Sequence, residues 1–254
     1  MMNNVEKQYQ TSVNLSTRIS IHDRYSTNKE PFGQWISSHY EISPGFRILE
    51  LGCGTGEMWK GKFDFLPPDS QLILSDFSAG MLETAKEKLG NHPQVDYQRI
   101  DIQSIPFPDA TFNMVIANMM LYHVPDLHKA LSEVRRVLKP DGKFYCATYG
   151  EHGIMEFVND TLQEYGIRGE IGRTFTLQSG AVSLTQHFAD VSMYTREDGL
   201  AITCIDDFVD YVLSLSSLTG ITEISREKLH EAFEVKTLDG ILYVPKEYGM
   251  FICK

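Results

Sequence analysis

The chain has few cysteines and no long apolar run. Its four cysteines form no Cys-x-x-Cys pair, which disfavours a zinc site and a disulfide framework. No stretch approaches the ~20 apolar residues that a membrane span needs, and residues 1–10 lack the apolar core of a signal peptide. We therefore expect a soluble, cytoplasmic protein with no membrane span and no metal.

An excess of basic residues is also missing. The 23 Lys and Arg residues stand against 34 Asp and Glu, a net charge of −11, which disfavours nucleic acid as a partner because phosphate neutralisation needs clustered cations. With 254 residues, 42% of them hydrophobic, the chain can bury one large core. We predict a single domain over residues 1–254, present as a monomer or homodimer, with a cap (1–45), a core (46–149), and lid helices with the last two strands (150–254).

Short apolar runs alternate with helical patterns between residues 46 and 149. Ser78 and Asp126 are good N-caps and predict the start of two helices, and Pro140-Asp141-Gly142 predicts a turn. This alternation is typical of an α/β fold with a doubly wound, mostly parallel sheet. The predicted strands are Phe46–Leu51, Gln71–Ser75, Val95–Ile100, Phe112–Ala117 and Lys143–Ala147.

The remaining residues predict a helix at Pro31–Tyr40, a helical lid and two late strands, which complete a seven-stranded sheet. The late strands are predicted at Val191–Thr195 and Met250–Cys253. The lid helices are predicted at Met155–Tyr165, Leu177–Phe188, Asp206–Leu218 and Arg226–Phe233.

A glycine-rich turn follows the first predicted strand, in the run Glu50-Leu51-Gly52-Cys53-Gly54-Thr55-Gly56. Glycines allow positive φ and close approach of a ligand to the backbone, and we predict a helix directly after the turn. The spacing G-x-G-x-G differs from the G-x-G-x-x-G of dinucleotide sites. The acid at Glu50 suits a ligand with an ammonium group, such as S-adenosylmethionine.

Polar and aromatic side chains follow the ends of the next strands, where doubly wound sheets bind their ligands. Asp76 can accept hydrogen bonds from both ribose hydroxyls, and Phe77 can pack on an adenine face. Asp101 can accept from the adenine amino group, with Ile102 as apolar cover. Two further candidate cofactor contacts are Asn118, at the end of the fourth strand, and Met81, in the helix after Ser78.

These motifs in this order resemble those of the class I S-adenosylmethionine-dependent methyltransferases, most closely the type 11 subgroup that includes the ubiquinone/menaquinone-biosynthesis enzymes. The resemblance rests on Glu50–Gly56, Asp76, Asp101-Ile102 and Leu138–Gly142, and covers residues 46–149. It implies a seven-stranded sheet with the last strand antiparallel. It also implies that Glu50 and the glycine turn (Gly52, Cys53, Gly54, Gly56) hold the methionine end of the cofactor, Asp76 the ribose and Asp101 the adenine.

Methyl transfer from a sulfonium is a direct displacement, so the protein has to align the reactants, exclude water and, for some acceptors, remove a proton. His123 is the best-placed candidate base and His152 the second, while Tyr122 can orient the acceptor. Tyr25 and Trp35 are candidates to close over the cofactor, or else they pack the cap.

The Met-rich loop after the fourth predicted strand favours a small, partly apolar organic acceptor, methylated at oxygen, nitrogen or carbon. The Pro-Pro-aromatic run of nucleic-acid amino methyltransferases is missing after Asn118. Two other functions stay open: a non-catalytic S-adenosylmethionine-binding module, and a nicotinamide-dependent oxidoreductase. A purely structural role also stays open for each carboxylate. Glu50 can accept from the amides of its own turn, Asp76 can be only the N-cap of the following helix, and Asp101 can be an ordinary turn residue.

Overall fold

The computed structural model describes residues 20–169, 174–215 and 218–254. The predicted cap therefore lies partly outside the described residues, at 1–19. The chain divides into two compact units. Unit 1 comprises Met1–Lys29, Tyr149–Arg173 and Thr195–Tyr248, and unit 2 comprises Glu30–Thr148, Thr174–Tyr194 and Gly249–Lys254.

Unit 2 contains most of a seven-stranded sheet with the strand order β3-β2-β1-β4-β5-β9-β7. The strands are β1 (Arg47–Leu51), β2 (Gln71–Asp76), β3 (Val95–Arg99), β4 (Phe112–Ile116), β5 (Leu138–Tyr149), β7 (Val191–Ile202) and β9 (Leu242–Cys253). β1 pairs in parallel with β2 and β4, β2 with β3, and β4 with β5. Asp190 and Lys254 exchange backbone hydrogen bonds, the antiparallel pattern, beside the ends of β7 and β9. The predicted seven-stranded, mostly parallel sheet is confirmed.

Helices of unit 2 begin and end at the capping signals. Ser78 accepts from the amide of Met81 and caps α2 (Ala79–Leu89), and Asp126 accepts from the amide of Lys129 and caps α3 (Leu127–Val137). Gly90, at φ +73°, ends α2, since a glycine tolerates this conformation. The helices are α1 (Phe32–Ser38), α2 (Ala79–Leu89), α3 (Leu127–Val137) and α5 (Leu177–Leu184).

The helix predicted directly after the glycine turn is wrong. Two short 3₁₀ helices, Glu57–Trp59 and Phe63–Phe65, occupy this segment. Gly61 lies between them at φ +66°, a conformation that interrupts an α-helix. Pro67-Pro68 then closes the segment, because proline cannot continue a helix.

The turn predicted at Pro140-Asp141-Gly142 is also wrong, because these residues lie within β5. The register of β4 against β5 shifts there: Phe112 is opposite Leu138, and Met114 is already opposite Lys143. Proline cannot donate to a strand ladder, so it is accommodated at an irregularity of this kind.

Unit 1 is mainly helical and has its own apolar core. Its helices are α4 (Ile154–Leu162), α6 (Ile205–Leu213) and α7 (Arg226–Glu234). Phe208, Phe233 and Val158 are fully buried in the core. The short strands β6 (Arg168–Gly169) and β8 (Leu218–Thr219) form a separate antiparallel pair.

The late strands β7 and β9 are each 12 residues long, longer than predicted, and both contribute residues to both units. The helix predicted over Asp206–Leu218 ends at Leu213, and its residues 216–217 lie outside the described residues. Within the described ranges, no helix is both long and apolar enough to cross a membrane.

Candidate active site

The glycine turn after β1 has an open backbone face. Gly52, Gly54 and Gly56 have φ of +72°, +57° and +75°. A Cβ on Gly56 would lie 2.5 Å from Leu89 Cδ1, and one on Gly52 would lie 2.9 Å from Met120 Cγ, whereas one on Gly54 would meet nothing within 4 Å. Gly54 is therefore the position where a ligand can reach the backbone.

Asp76, the last residue of β2, connects the turn to the start of α2. Its Oδ2 accepts from the Gly54 amide (2.9 Å) and its Oδ1 from the Ser78 amide (2.8 Å). Burial raises the pKa of Asp76, and the hydrogen bonds from the Ser78 and Gly54 amides oppose this. Ser78, not Asp76, caps α2. A carboxylate has about four acceptor sites, so both oxygens can still accept from a ligand.

Glu50 is only 2% exposed. Its Oε2 accepts from the indole N–H of Trp59, and its backbone carbonyl accepts from Ser75 Oγ at 2.6 Å. Burial raises the pKa of Glu50 to about 7, although the Trp59 hydrogen bond lowers it. A cationic group placed beside Glu50 would favour its charged form.

Asp101 and Ile102 follow β3. Asp101 Oδ1 accepts from the backbone amide of Gln103 (2.9 Å) and from its side chain (3.2 Å). These bonds form a local Asx-type turn, so Asp101 has the contacts of an ordinary turn residue, the alternative to adenine binding considered above. The Ile102 side chain is 5% exposed and packs in the core of unit 2 with Ile100 and Ile105.

Phe77, next to Asp76, is the exposed aromatic side chain of the site. It is 47% exposed, the guanidinium carbon of Arg99 lies 5.4 Å from its ring centroid, and Arg99 Nε donates to its carbonyl at 2.8 Å. The ring is available for stacking. Met81, in the first turn of α2, is half-buried.

Asn118 connects the end of β4 to two neighbouring segments. Its Nδ2 donates to the Tyr40 hydroxyl (2.6 Å), and its Oδ1 accepts from the Ala147 amide (3.1 Å). The next residue, Met119, has φ +54°, which is rare outside glycine and occurs often at functional sites.

Tyr122 and His123 lie in a 3₁₀ helix, Leu121–His123, shortly after Asn118. Their ring centroids are 4.5 Å apart with edge-on geometry, and both side chains are half-buried. Tyr122 also packs against the core of unit 2. They belong to the same unit as the glycine turn.

Two other candidates belong to unit 1. The Tyr25 hydroxyl donates to Asp207, and its ring is part of the core of unit 1. His152 Nδ1 lies 3.1 Å from Glu156 Oε1, and the Glu156 hydrogen bond raises the pKa of His152. Both residues therefore belong to a different unit from the glycine turn. Trp35, in unit 2, stacks on Phe32 with 5.9 Å between ring centroids.

Sequence reasoning missed Trp59, Tyr40 and Lys62. Trp59 donates to Glu50, and Tyr40 accepts from Asn118. Burial lowers the pKa of Lys62, and the nearby Glu50 carboxyl partly opposes this effect. Gly61 and Pro67-Pro68 argue against a long helix after the turn. This signal could have shown that the segment with Trp59 and Lys62 is irregular, but not which residues they contact.

Comparisons with known proteins match this chain to methyltransferases. A methyltransferase-domain family profile matches residues 49–146. Demethylmenaquinone methyltransferase of Symbiobacterium thermophilum is 35% identical over 123 residues, which cover 45% of this chain and 49% of that protein. Ubiquinone/menaquinone biosynthesis C-methyltransferase of a Shewanella strain is 28% identical over 202 residues, 76% of this chain and 78% of that protein.

A solved structure shows the same fold. Phosphoethanolamine N-methyltransferase 2 of Haemonchus contortus, in complex with phosphomonomethylethanolamine and S-adenosylhomocysteine, aligns with a TM-score of 0.60 and 17% identity. The alignment covers 100% of this chain and 60% of that one. At this identity the likeness concerns the fold.

Proposed function

We propose that this chain is a class I S-adenosylmethionine-dependent methyltransferase, and that its acceptor is a small, partly apolar organic molecule methylated at oxygen, nitrogen or carbon. The observation that carries the proposal is the open backbone at Gly54, whose amide is held by Asp76. A ligand can approach this backbone where any side chain would block it.

The described residues fit the cofactor. Gly52, Cys53, Gly54 and Gly56 would lie along its methionine end, and Asp76 would accept from the ribose hydroxyls. Buried Glu50, with a pKa near 7, would become ionised when an ammonium group binds beside it. Phe77 would stack on the adenine, and Asp101, Ile102, Met81, Asn118 and Tyr25 remain candidate contacts. The cofactor supplies an electrophilic methyl group.

On the acceptor side, His123 would remove a proton and Tyr122 would orient the acceptor. The names of the relatives include both carbon and nitrogen methylation, so they support the methyl-transfer class without choosing the atom. We further propose a cytoplasmic monomer or homodimer with no nucleic-acid partner, consistent with the net charge of −11.

A product assay tests this function. Purified protein with S-adenosylmethionine and a panel of phenols, aromatic amines and quinols should release S-adenosylhomocysteine with at least one acceptor, as measured by mass spectrometry. Asp76→Ala should abolish this release. Cofactor binding without any methylated product would favour the non-catalytic module, and binding of NADH in place of S-adenosylmethionine would favour the oxidoreductase.

A further inference from the structure

A cavity of about 430 Å³ lies within unit 2 beside the two 3₁₀ helices. Most of its lining is apolar. The polar groups among the lining residues are the Ser37 hydroxyl, the Lys62 amine, the Tyr40 hydroxyl and the Trp59 indole N–H. The full lining consists of Ser37, Tyr40, Ile42, Met58, Trp59, Lys62, Phe65, Leu66 and Pro67. Its volume falls within the roughly 300–1,000 Å³ typical of small-molecule sites.

The Lys62 amine is the charged group of this cavity. Its Nζ donates to Ser37 Oγ at 3.2 Å, and in the part of the chain that the structure describes it forms no ion pair. The side chain is half-buried. A cation in partly apolar surroundings is favoured by an anionic partner, so the cavity is suited to a molecule that combines an apolar body with one negative charge.

Two walls of the cavity bond directly to residues of the candidate active site. Trp59 donates to Glu50, and Tyr40 accepts from Asn118 at 2.6 Å. Glu50 is opposite Ile116 in the parallel β1–β4 pair, and Asn118 follows Ile116 by two residues. Through these two walls the cavity reaches the carboxyl ends of β1 and β4, where ligands of doubly wound sheets bind. It extends from there to Pro67, whose carbonyl accepts from Gln94 Nε2 at 2.8 Å just before β3.

We propose that this cavity holds the anionic end of the methyl acceptor, a compact, mainly apolar molecule with one anionic oxygen group. Tyr122 and His123 do not line the cavity, so the reacting atom of the acceptor would lie outside it, beyond the Tyr40 wall that bonds Asn118.

The anionic group pairs with Lys62 Nζ and accepts from the Ser37 hydroxyl, while Ile42, Met58 and Leu66 contact the apolar body. The assignment deepens the proposed function and rests on it.

Isothermal titration calorimetry with 4-tert-butylbenzoate and its neutral amide, 4-tert-butylbenzamide, tests the proposal. The carboxylate should bind at least about tenfold more tightly than the amide, since a charge-assisted hydrogen bond is worth about a factor of ten or more. Lys62→Met should weaken carboxylate binding by about tenfold and leave the amide unchanged, and Lys62→Arg should retain most of the affinity. Lys60→Met, at a neighbouring exposed lysine, is the matched control and should change neither.

Equal binding of the carboxylate and the amide, or full carboxylate affinity in Lys62→Met, would overturn the proposal. A separate titration with S-adenosylhomocysteine distinguishes the donor site from the acceptor site. It should give the same affinity with and without saturating 4-tert-butylbenzoate, because the two ligands occupy different sites. Competition between them would overturn the acceptor assignment by placing the donor in the cavity. Failure of S-adenosylhomocysteine to bind at all would overturn the proposed function and the acceptor assignment together, whatever the carboxylate titration shows.

Discussion

At the residue scale, Glu50 is a carboxyl group whose environment opposes its charge. Burial raises its pKa to about 7, and the Trp59 hydrogen bond only partly offsets the effect. The ionised form therefore costs folding free energy at neutral pH. A ligand with a positive charge would recover part of that cost on binding.

We expect Glu50→Gln to stabilise the protein at pH 8 by up to about 3 kcal/mol, because burial raises the pKa of Glu50 to about 7. The folded-state pKa is raised, so the native state binds more protons than the unfolded state between about pH 4.5 and 7. Wild-type stability should fall across that interval and level off above it. Urea unfolding at pH 5, 6.5 and 8 measures the difference.

The matched control is Glu57→Gln, because Glu57 is exposed and pairs only with Lys60 and Lys88 at long distances. It should leave the pH dependence as in wild type. A Glu50→Gln curve parallel to that of wild type from pH 5 to 8 would contradict this account of Glu50.

Residue types at strand ends could be predicted from the sequence because alternation and turn residues are local signals. Asp76 is the last residue of β2, and Asn118 follows the last residue of β4 by two positions. The hydrogen-bond partners of Glu50 and Asn118 could not be predicted. Trp59 and Tyr40 contact them through tertiary packing, 9 and 78 positions away along the chain. No helix or strand periodicity in the sequence indicates such contacts.

At the element scale, two glycines of the turn are needed for different reasons. Gly56 is required by packing, and Gly54 by the approach of the ligand. Gly56→Ala should destabilise the protein by about 2–5 kcal/mol, since strain at φ +75° adds to overpacking against Leu89. Gly54→Ala has comparable strain and no clash, so it should cost only about 1–2 kcal/mol. Thermal and urea unfolding of the two variants measures the difference.

For ligand affinity, we expect the opposite order: Gly54→Ala should have the larger effect and Gly56→Ala the smaller. Gly54→Ala should weaken S-adenosylhomocysteine binding at least tenfold, because its methyl group projects into the open face. Gly56→Ala, measured under conditions where it is folded, should bind more tightly than Gly54→Ala. Unchanged ligand affinity in Gly54→Ala would exclude this face as the binding surface.

Element boundaries show where local sequence signals are insufficient. Ser78 and Asp126 predicted the starts of α2 and α3 correctly, because capping is a local interaction. Pro140-Asp141-Gly142 has the composition of a turn, yet these residues lie within β5, where the pairing with β4 shifts register. The lengths of β7 and β9 were underestimated because the unpredicted part of each strand contains charged residues and glycine or proline: Arg196–Gly199 in β7 and Pro245–Glu247 in β9.

At the scale of the whole molecule, unit 1 has a stabilising charge cluster of its own. Asp198 lies 2.5 Å from both Arg196 Nη1 and Lys246 Nζ, and the side chains of all three residues are at most 5% exposed. Asp198 Oδ1 also accepts from the Asn28 amide at 3.1 Å. Burial opposes the charge of Asp198, but the charge of Lys246 and the hydrogen bonds from Lys246, Asn28 and Gly199 together lower its pKa to about 2.

Asp198→Asn should destabilise the protein by about 3–5 kcal/mol at pH 7, because it removes the carboxylate from a buried ion pair with Lys246. The folded-state pKa is depressed, so the stabilisation is present above about pH 4 and is lost as the pH falls towards 2. Urea unfolding at pH 7 and pH 3 should show this loss in wild type and not in the variant. Asp206→Asn, in an exposed pair with Arg226, should stay within about 1 kcal/mol of wild type. Equal effects of the two substitutions would contradict the assigned role of Asp198.

The central claim is that the carboxyl ends of β1 and β2 hold one S-adenosylmethionine molecule through the glycine turn and Asp76. Titration calorimetry with S-adenosylhomocysteine tests it most directly. The account predicts one site per chain in wild type and an affinity at least thirtyfold weaker in Asp76→Ala, because a charge-assisted hydrogen bond to each ribose hydroxyl is lost. The absence of binding to the folded wild-type protein, or full affinity in Asp76→Ala, would contradict it.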